Sequence, residues 1–256
     1  MTQSNDPAKT KRILILGGTA EARALANALT ARGEDVTTSL AGRTSSPALP
    51  KGKIRSGGFG GADGLARYMR DAAITHMIDA THPFAARISA NAVAAAQAAR
   101  IPLLRLERPA WTAPEGADWI AVPDMAAAAA SLPEGARAFL TIGRQDLAAF
   151  HDVRDGTIVA RVIEPPEAVP SGWTIIAERG PFTLANERAV LKAHAITHLV
   201  TKNSGGPHMA AKLDAARELG VAVVMIARPV LPDAETVATV EAAFDWVSTV
   251  SPSRVV

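Results

Sequence analysis

Residues 12–41 read RILILGGTAEARALANALTARGEDVTTSLA, and no other stretch restricts the fold as tightly. The continuous apolar run before Gly17 predicts a buried strand, and two glycines end it. An alanine and leucine periodicity then predicts a helix stopped by Gly33, and EDVTTSLA after it reads as a second strand. Strand, glycine turn, helix, strand is the opening of a nucleotide-binding βαβ unit.

The alternation continues. GADGLARYMRDAA and PFAARISANAVAAAQAAR suit helices, and THMIDA and IPLLRLE suit strands. Residues 107–118, ERPAWTAPEGAD, carry two prolines and no period, as a crossing between domains would. Beyond it RAFLTIG, TIVARVI, THLVT and VAVVMIA read as strands. TLANERAVLKAH and GPHMAAKLDAARELG read as helices, with a last helix expected over 235–247. Strands separated by helices imply parallel sheets. With 256 residues, 48% of them apolar, the chain can fill one large or two modest α/β cores. The expected division is a dinucleotide-binding domain over 1–108, a linker over 109–118 and a substrate-facing domain over 119–256.

The chain also echoes itself. Residues 74–109 can be laid over 196–229: both begin Ile-Thr-His, pass through a strand and a polar turn into an alanine-rich helix, and end a second strand at Arg-Pro. The echo predicts an α/β protein of two Rossmann-like parallel-sheet domains facing each other across a cleft. Ligands of such sheets gather at the carboxyl ends of the strands, where helix N-termini present free N–H groups. ATHPF and TKNSGG fall on that edge in the two halves. Pro83 suits the first helical position, with Thr81 or His82 as cap. Both turns read either as ligand-facing or as simple helix caps, and their polarity favours the first.

Charge and composition exclude several functions. Lys and Arg exceed Asp and Glu by 27 − 25 = 2, with no run of like charge, which argues against nucleic acid. With no cysteine there is no disulfide, thiolate metal site or thiol catalysis. The polar start MTQSNDPAKTKR is unlike a signal peptide, and no apolar run is long enough to span a bilayer, so a cytoplasmic protein is expected. Tyr68, the single tyrosine, has Ala72 four residues on, so the Tyr-x-x-x-Lys chemistry of short-chain dehydrogenases is ruled out. His194 and His198 have metal-ligand spacing but fall on a helix end and a strand start, and no metal is expected.

The segment GGTAEA is the first candidate site. Gly17 permits the turn, Gly18 admits close backbone approach and Thr19 can donate to a phosphate, while Ala22 stands where a third glycine is usual. A plain glycine turn without a dinucleotide is the competing reading. At the end of the second strand stands SLAGRTSS, where an NAD site would place a carboxylate. Arg43 with Thr44, Ser45 and Ser46 suits a 2′-phosphate instead, favouring NADPH. Arg144, Arg161, Arg179 and Arg228 flank apolar runs and together can wall an anionic substrate.

Carrying these motifs, the chain resembles the precorrin-6A reductase family of cobalamin biosynthesis. The resemblance runs in order through ILILGGTAEARALA, IDATHPFAARIS, RLERPAW, LTIGRQDL, ERGPFTLANE, VTKNSGG and AKLDAARELGVAVVMIARP. It implies NADPH-dependent reduction of one double bond of precorrin-6A to give precorrin-6B. Gly17, Gly18, Thr19 and Glu21 would then form the dinucleotide loop, and Thr81, His82, Pro83 and Phe84 would lie near the nicotinamide. Lys202, Asn203, Ser204, Gly205 and Gly206, with Arg144, would face the tetrapyrrole. His82 is a weak candidate proton donor. GGFGG at 57–61 departs from the family's expected sequence there. Hand-over contacts with neighbouring pathway enzymes are a further expectation. The cobalt-precorrin reductase of the anaerobic pathway, another NADPH reductase and a non-catalytic NADP sensor are the alternatives.

Overall fold

The computed structural model describes residues 10–41, 49–153 and 156–251. Two compact units divide the chain: one takes 1–108 together with 230–256, the other 109–229.

In the first unit, β1 (Arg12–Leu16), α1 (Ala20–Ala31), β2 (Asp35–Leu40), β3 (Lys53–Ser56), α2 (Gly61–Asp71), β4 (His76–Asp79), α3 (Ala86–Ala99) and β5 (Leu103–Leu106) follow in sequence. The second unit contributes β6 (Trp119–Val122), α4 (Met125–Ala130), β7 (Arg137–Thr141), β8 (Thr157–Val162), β9 (Thr174–Ala177), α5 (Leu184–Ala193), β10 (His198–Lys202), α6 (Ala211–Leu219) and β11 (Ala222–Ile226). The chain then re-enters the first unit as β12 (Glu235–Val237) and α7 (Val240–Thr249).

Each unit holds a six-stranded sheet whose paired strands are parallel, ordered β12-β5-β4-β1-β2-β3 in one and β6-β11-β10-β7-β8-β9 in the other. The first is the Rossmann order, with the order reversing at β1 and β4. The second has the same spatial plan with one permutation: the edge strand beside β11 comes first in its unit, whereas its counterpart β12 comes last. The expected parallel α/β architecture is present in both halves.

The expected limits of the halves are corrected. Residues 109–118 belong to the second unit, and 230–256 return to the first. Residues 235–237 pair with β5 as a strand, so the last helix begins only at Val240. A three-residue strand with a half-exposed pattern leaves no apolar run to read.

Central strands are buried on both faces, which is why they read as continuous apolar runs. Ile13, Ile15, Leu25, Leu29, Ile78 and Trp246 share one core on one side of the first sheet. Leu14, Leu16, Leu65, Met69 and Met77 share another, covered by the alanine face of α3. Phe139, Val159, Leu199, Leu213 and Val223 form the corresponding core in the second unit.

The repeated Ile-Thr-His has one structural job in both halves. The Thr75 hydroxyl accepts from the Arg12 N–H at 3.0 Å and donates to the Arg12 carbonyl at 3.0 Å. Thr197 bridges Arg137 in the same way, at 3.0 and 3.4 Å. Each Thr pins the start of the neighbouring strand, and each following His opens β4 or β10, at the amino-terminal edge of its sheet. Among the described residues no group of three or more His, Asp or Glu side chains is placed to hold a metal, and no helix is long and apolar enough to cross a membrane.

Candidate functional site

The glycine loop sits where β1 ends. Gly17 lies so close to β2 that a Cβ would meet the Thr38 methyl at 2.9 Å, so glycine is required for sheet packing. Gly18 adopts φ +119°, and a Cβ there would meet nothing within 4 Å, so the loop's open face lies at this residue. Thr19 caps α1: its hydroxyl accepts from the Ala22 N–H at 3.1 Å and donates to the Ala80 carbonyl at 2.8 Å. That hydroxyl proton, expected on a phosphate, is therefore spent on joining the loop to the turn after β4. The unpaired N–H groups of the first turn of α1 are what remains for an anion.

Glu21 lies in the same first turn and pairs with Arg108 at 2.8 Å. A carboxylate beside an anion site would repel its ligand, and Arg108 offsets it. Thr19, Glu21, Thr81, Pro83, Leu106, Glu107 and Arg108 line one small cleft at the carboxyl edge of the sheet. The structure thus brings together two predicted segments, GGTAEA and DATHPF, and adds a third, LERP, after β5. Open glycine backbone, helix N–H donors and a nearby guanidinium fit the diphosphate of a dinucleotide.

The turn after β4 differs from expectation. Helix α3 starts at Ala86 with Ala85 as its cap, so Pro83 is not its first residue and neither Thr81 nor His82 caps it. The polar residues stabilise the turn itself. Asp79, only 2% exposed, accepts both the Thr81 N–H at 3.2 Å and the Thr81 hydroxyl at 2.7 Å. His82 Nδ1 accepts from the Phe84 N–H at 3.2 Å, and the two rings lie 5.8 Å apart at 50°. Arg105, the register partner of Asp79 on β5, brings its Nε to 3.9 Å from the carboxylate. Sequence reasoning missed Arg105 and Arg108. The available signal was position: each stands at or after the carboxyl end of a central strand. Arg43, Thr44, Ser45 and Ser46 lie outside the described residues.

In the second unit, Lys202 closes β10 and reaches Asp146 at 2.5 Å. Arg144, which opens a 3₁₀ helix over 144–150, pairs with Glu164 at 3.6 Å. The expected cationic wall therefore comes with its own carboxylates. Arg161 is corrected outright: it is buried, bonded through two nitrogens to Glu187 at 2.8 and 3.0 Å, with Phe182 stacked 3.6 Å from its guanidinium carbon.

Asn203 is also committed to the fold. Its amide accepts from the Trp111 N–H at 2.8 Å and donates to the Trp111 carbonyl at 3.0 Å, while the Trp111 indole N–H donates to the Gly206 carbonyl at 2.9 Å. Arg228 donates to the carbonyls of Asn203 and Ser204 at 2.9 and 3.3 Å. Gly205, at φ +69°, packs so tightly that a Cβ would come 2.1 Å from the Pro109 carbonyl oxygen. This links RPAW, KNSGG and ARP, three segments distant in sequence. No α-helix starts directly from KNSGG: a 3₁₀ turn spans Pro207–Met209 and α6 begins at Ala211.

Comparison with known proteins agrees with this arrangement of segments. The family model described as precorrin-6x reductase CbiJ/CobK matches residues 12–248. The precorrin-6A reductase of Rhodococcus erythropolis is 52% identical over 244 residues, covering 94% of this chain and 98% of its own. A cobalt-precorrin-6A reductase of Priestia megaterium is 32% identical over 233 residues, covering 85% and 90%. A solved structure titled CobK precorrin-6A reductase superposes with a TM-score of 0.90 at 42% identity, covering 95% of this chain and 99% of that one. With its fold, its glycine loop and its two polar turns all falling inside the matched span, the chain belongs to the precorrin-6x reductase family.

Proposed function

We propose that this chain reduces one double bond of precorrin-6A to give precorrin-6B, using NADPH bound at the carboxyl edge of the first unit's sheet. The observation that carries this reading is the Thr19–Ala80 hydrogen bond, which makes the glycine loop and the DATHPF turn a single surface in a chain of this reductase family. When bound, the nicotinamide supplies a hydride, two electrons and one hydrogen, to one carbon of the conjugated system. The chain's own work is to orient and to exclude. The free N–H groups of α1 and Arg108 hold the diphosphate. His82, Pro83 and Phe84 give the nicotinamide its floor, and a proton completes the neighbouring carbon from water or from His82. Arg43, Thr44 and Ser45 read the 2′-phosphate, an assignment resting on sequence. Lys202, Ser204 and Arg144 meet the carboxylates of the tetrapyrrole, Lys202 by exchanging Asp146 for a substrate carboxylate.

Metal-free precorrin-6A is preferred over the cobalt form because the shared identity with the reductase of the metal-free substrate is much higher. Mixing purified protein with NADPH and either substrate, while following NADPH absorbance, tests both points. Turnover is expected with precorrin-6A and NADPH, and Arg43→Ala is expected to raise KM for NADPH about tenfold or more with little change for NADH, the loss of one charge-assisted contact. Failure with precorrin-6A and turnover of the cobalt form would move the chain to the anaerobic reaction. NADPH binding without turnover of either would favour a sensor.

A further inference from the structure

The buried Asp79–Arg105 pair lies beneath the turn proposed to face the nicotinamide, but neither side chain lines the cleft beside that turn. A buried ion pair is an uneconomical way to stabilise a sheet, since an apolar pair of similar size often does as well. What the carboxylate achieves locally is specific. One oxygen, Oδ1, accepts both donors of Thr81, at 2.7 and 3.2 Å, which fixes the backbone and the side chain of that residue together. Oδ2 faces Arg105 Nε, and Nε has no hydrogen-bond partner among the described residues. Arg105 is in turn held through its NH2 group by the Pro232 carbonyl at 2.9 Å. On the other side of the same turn, the Ala80 carbonyl is held by the Thr19 hydroxyl. The peptide joining Ala80 to Thr81 is thus clamped from both ends, immediately before His82, Pro83 and Phe84.

We propose that Asp79, braced by Arg105, is a positioning residue for hydride transfer: it acts through Thr81 to set the height and direction of the 82–84 turn against the nicotinamide. This rests on the reading that the turn faces the nicotinamide. A turn held by one hydrogen bond can swing, and small misplacements of reacting groups cost rate steeply. Thr81 is the residue through which the position is imposed, so its hydroxyl is the part to remove.

Single-turnover hydride transfer from NADPH deuterated at C4, measured beside NADPH affinity and thermal unfolding, provides the test. Thr81→Val keeps the shape and the backbone N–H bond but loses the hydroxyl's bond to Asp79 and its longer contact with the Ser89 hydroxyl at 3.4 Å. It is expected to slow hydride transfer about tenfold or more, leave NADPH affinity within about threefold, and be rescued by Thr81→Ser, which restores the donor. Asp79→Asn is expected to slow transfer further, with Oδ1 still an acceptor but Arg105 left without its counter-charge. Should that variant fail to fold, Thr81→Val and Thr81→Ser decide alone. Unchanged transfer in Thr81→Val, or equal slowing in Thr81→Val and Thr81→Ser, would overturn the positioning role. Phe84→Ala separates this from the underlying reading. If it slows transfer while Thr81→Val does not, only the role of Asp79 fails, whereas if Phe84→Ala also leaves both affinity and transfer unchanged, the turn does not face the nicotinamide.

Discussion

Lys212 shows how one side chain can hold its charge at a cost. It is 3% exposed on α6, and its ammonium faces the Trp111 ring at 5.5 Å from the centroid. Burial, reinforced by nearby Arg161 and opposed by Glu187, pushes its pKa down to about 7. The unfolded chain, with an ordinary lysine near 10.5, binds more protons than the fold between about pH 7 and 10.5. Stability therefore rises with pH across that window, and below it the full cost of burying the ammonium is present. Lys212→Met should stabilise the protein by about 2 kcal/mol or more near pH 6, where one pKa unit is worth ~1.4 kcal/mol, and the advantage should shrink steadily towards pH 9. Thermal unfolding at a series of pH values reads this directly. An advantage independent of pH would mean that the lysine is already neutral or solvated in the fold. Nothing in AKLDAAREL signals such a residue, because a helical lysine is normally solvated and only the packing of Trp111 over it makes it otherwise.

At the scale of elements, the central strands and most long helices were legible because burial on both faces leaves unbroken apolar runs and alanine-rich faces leave a clear period. The strands that escaped were the edges and their like. KIRS in β3, TIIA in β9 and ETV in β12 are short and largely exposed or half-buried, too short to stand out as strands in sequence. The KNSGG turn was legible as a special place and misread in part of its chemistry. Polarity marked it, but only three-dimensional packing shows that Asn203 serves the Trp111 backbone while Lys202 keeps its ammonium on a partly exposed carboxylate. The two neighbours should therefore separate cleanly on mutation. Asn203→Ala leaves two partly buried backbone groups of Trp111 without their partner and should cost about 0.5–1.5 kcal/mol of stability for each bond lost. Lys202→Ala should leave the unfolding temperature nearly unchanged and weaken macrocycle binding by about 1.5–3 kcal/mol, the range for a hydrogen bond to a charged group. Unfolding curves beside substrate titration distinguish them, and a stable Asn203→Ala that fails only in substrate binding would return that amide to the site.

For the whole molecule, the permuted order of the two sheets places the burden of the first unit on the end of the chain. Its glycine loop was readable from the first residues, yet the unit is completed only by β12 and α7, which the sequence pattern assigned to the other half. The reason is physical: periodicity reports which face of an element is buried, not against which core. Lys11 receives the end of α7, its ammonium donating to the carbonyls of Val247, Ser248 and Val250, and His76 bonds the Val250 carbonyl at 2.9 Å. Burial holds His76 below the usual imidazole range, against the pull of that bond. Trp246 then fills the core beneath α1 and β1, with its indole nitrogen lacking a hydrogen-bond partner among the described residues, so its contribution is packing alone. Trp246→Ala should cost about 3–5 kcal/mol, as truncating a buried aromatic does. Because the core around Trp246 shares no residue with that of Phe139 and Leu199, the loss should be local. Hydrogen exchange should show faster opening of the amides of β1, β4 and β5, with β7, β10 and β11 protected as before. NADPH affinity should fall with the first group, since the glycine loop hangs from β1. Equal loss of protection in both sheets would show instead that the two units open as one cooperative body, and the chain end would then be a fastening for the whole molecule.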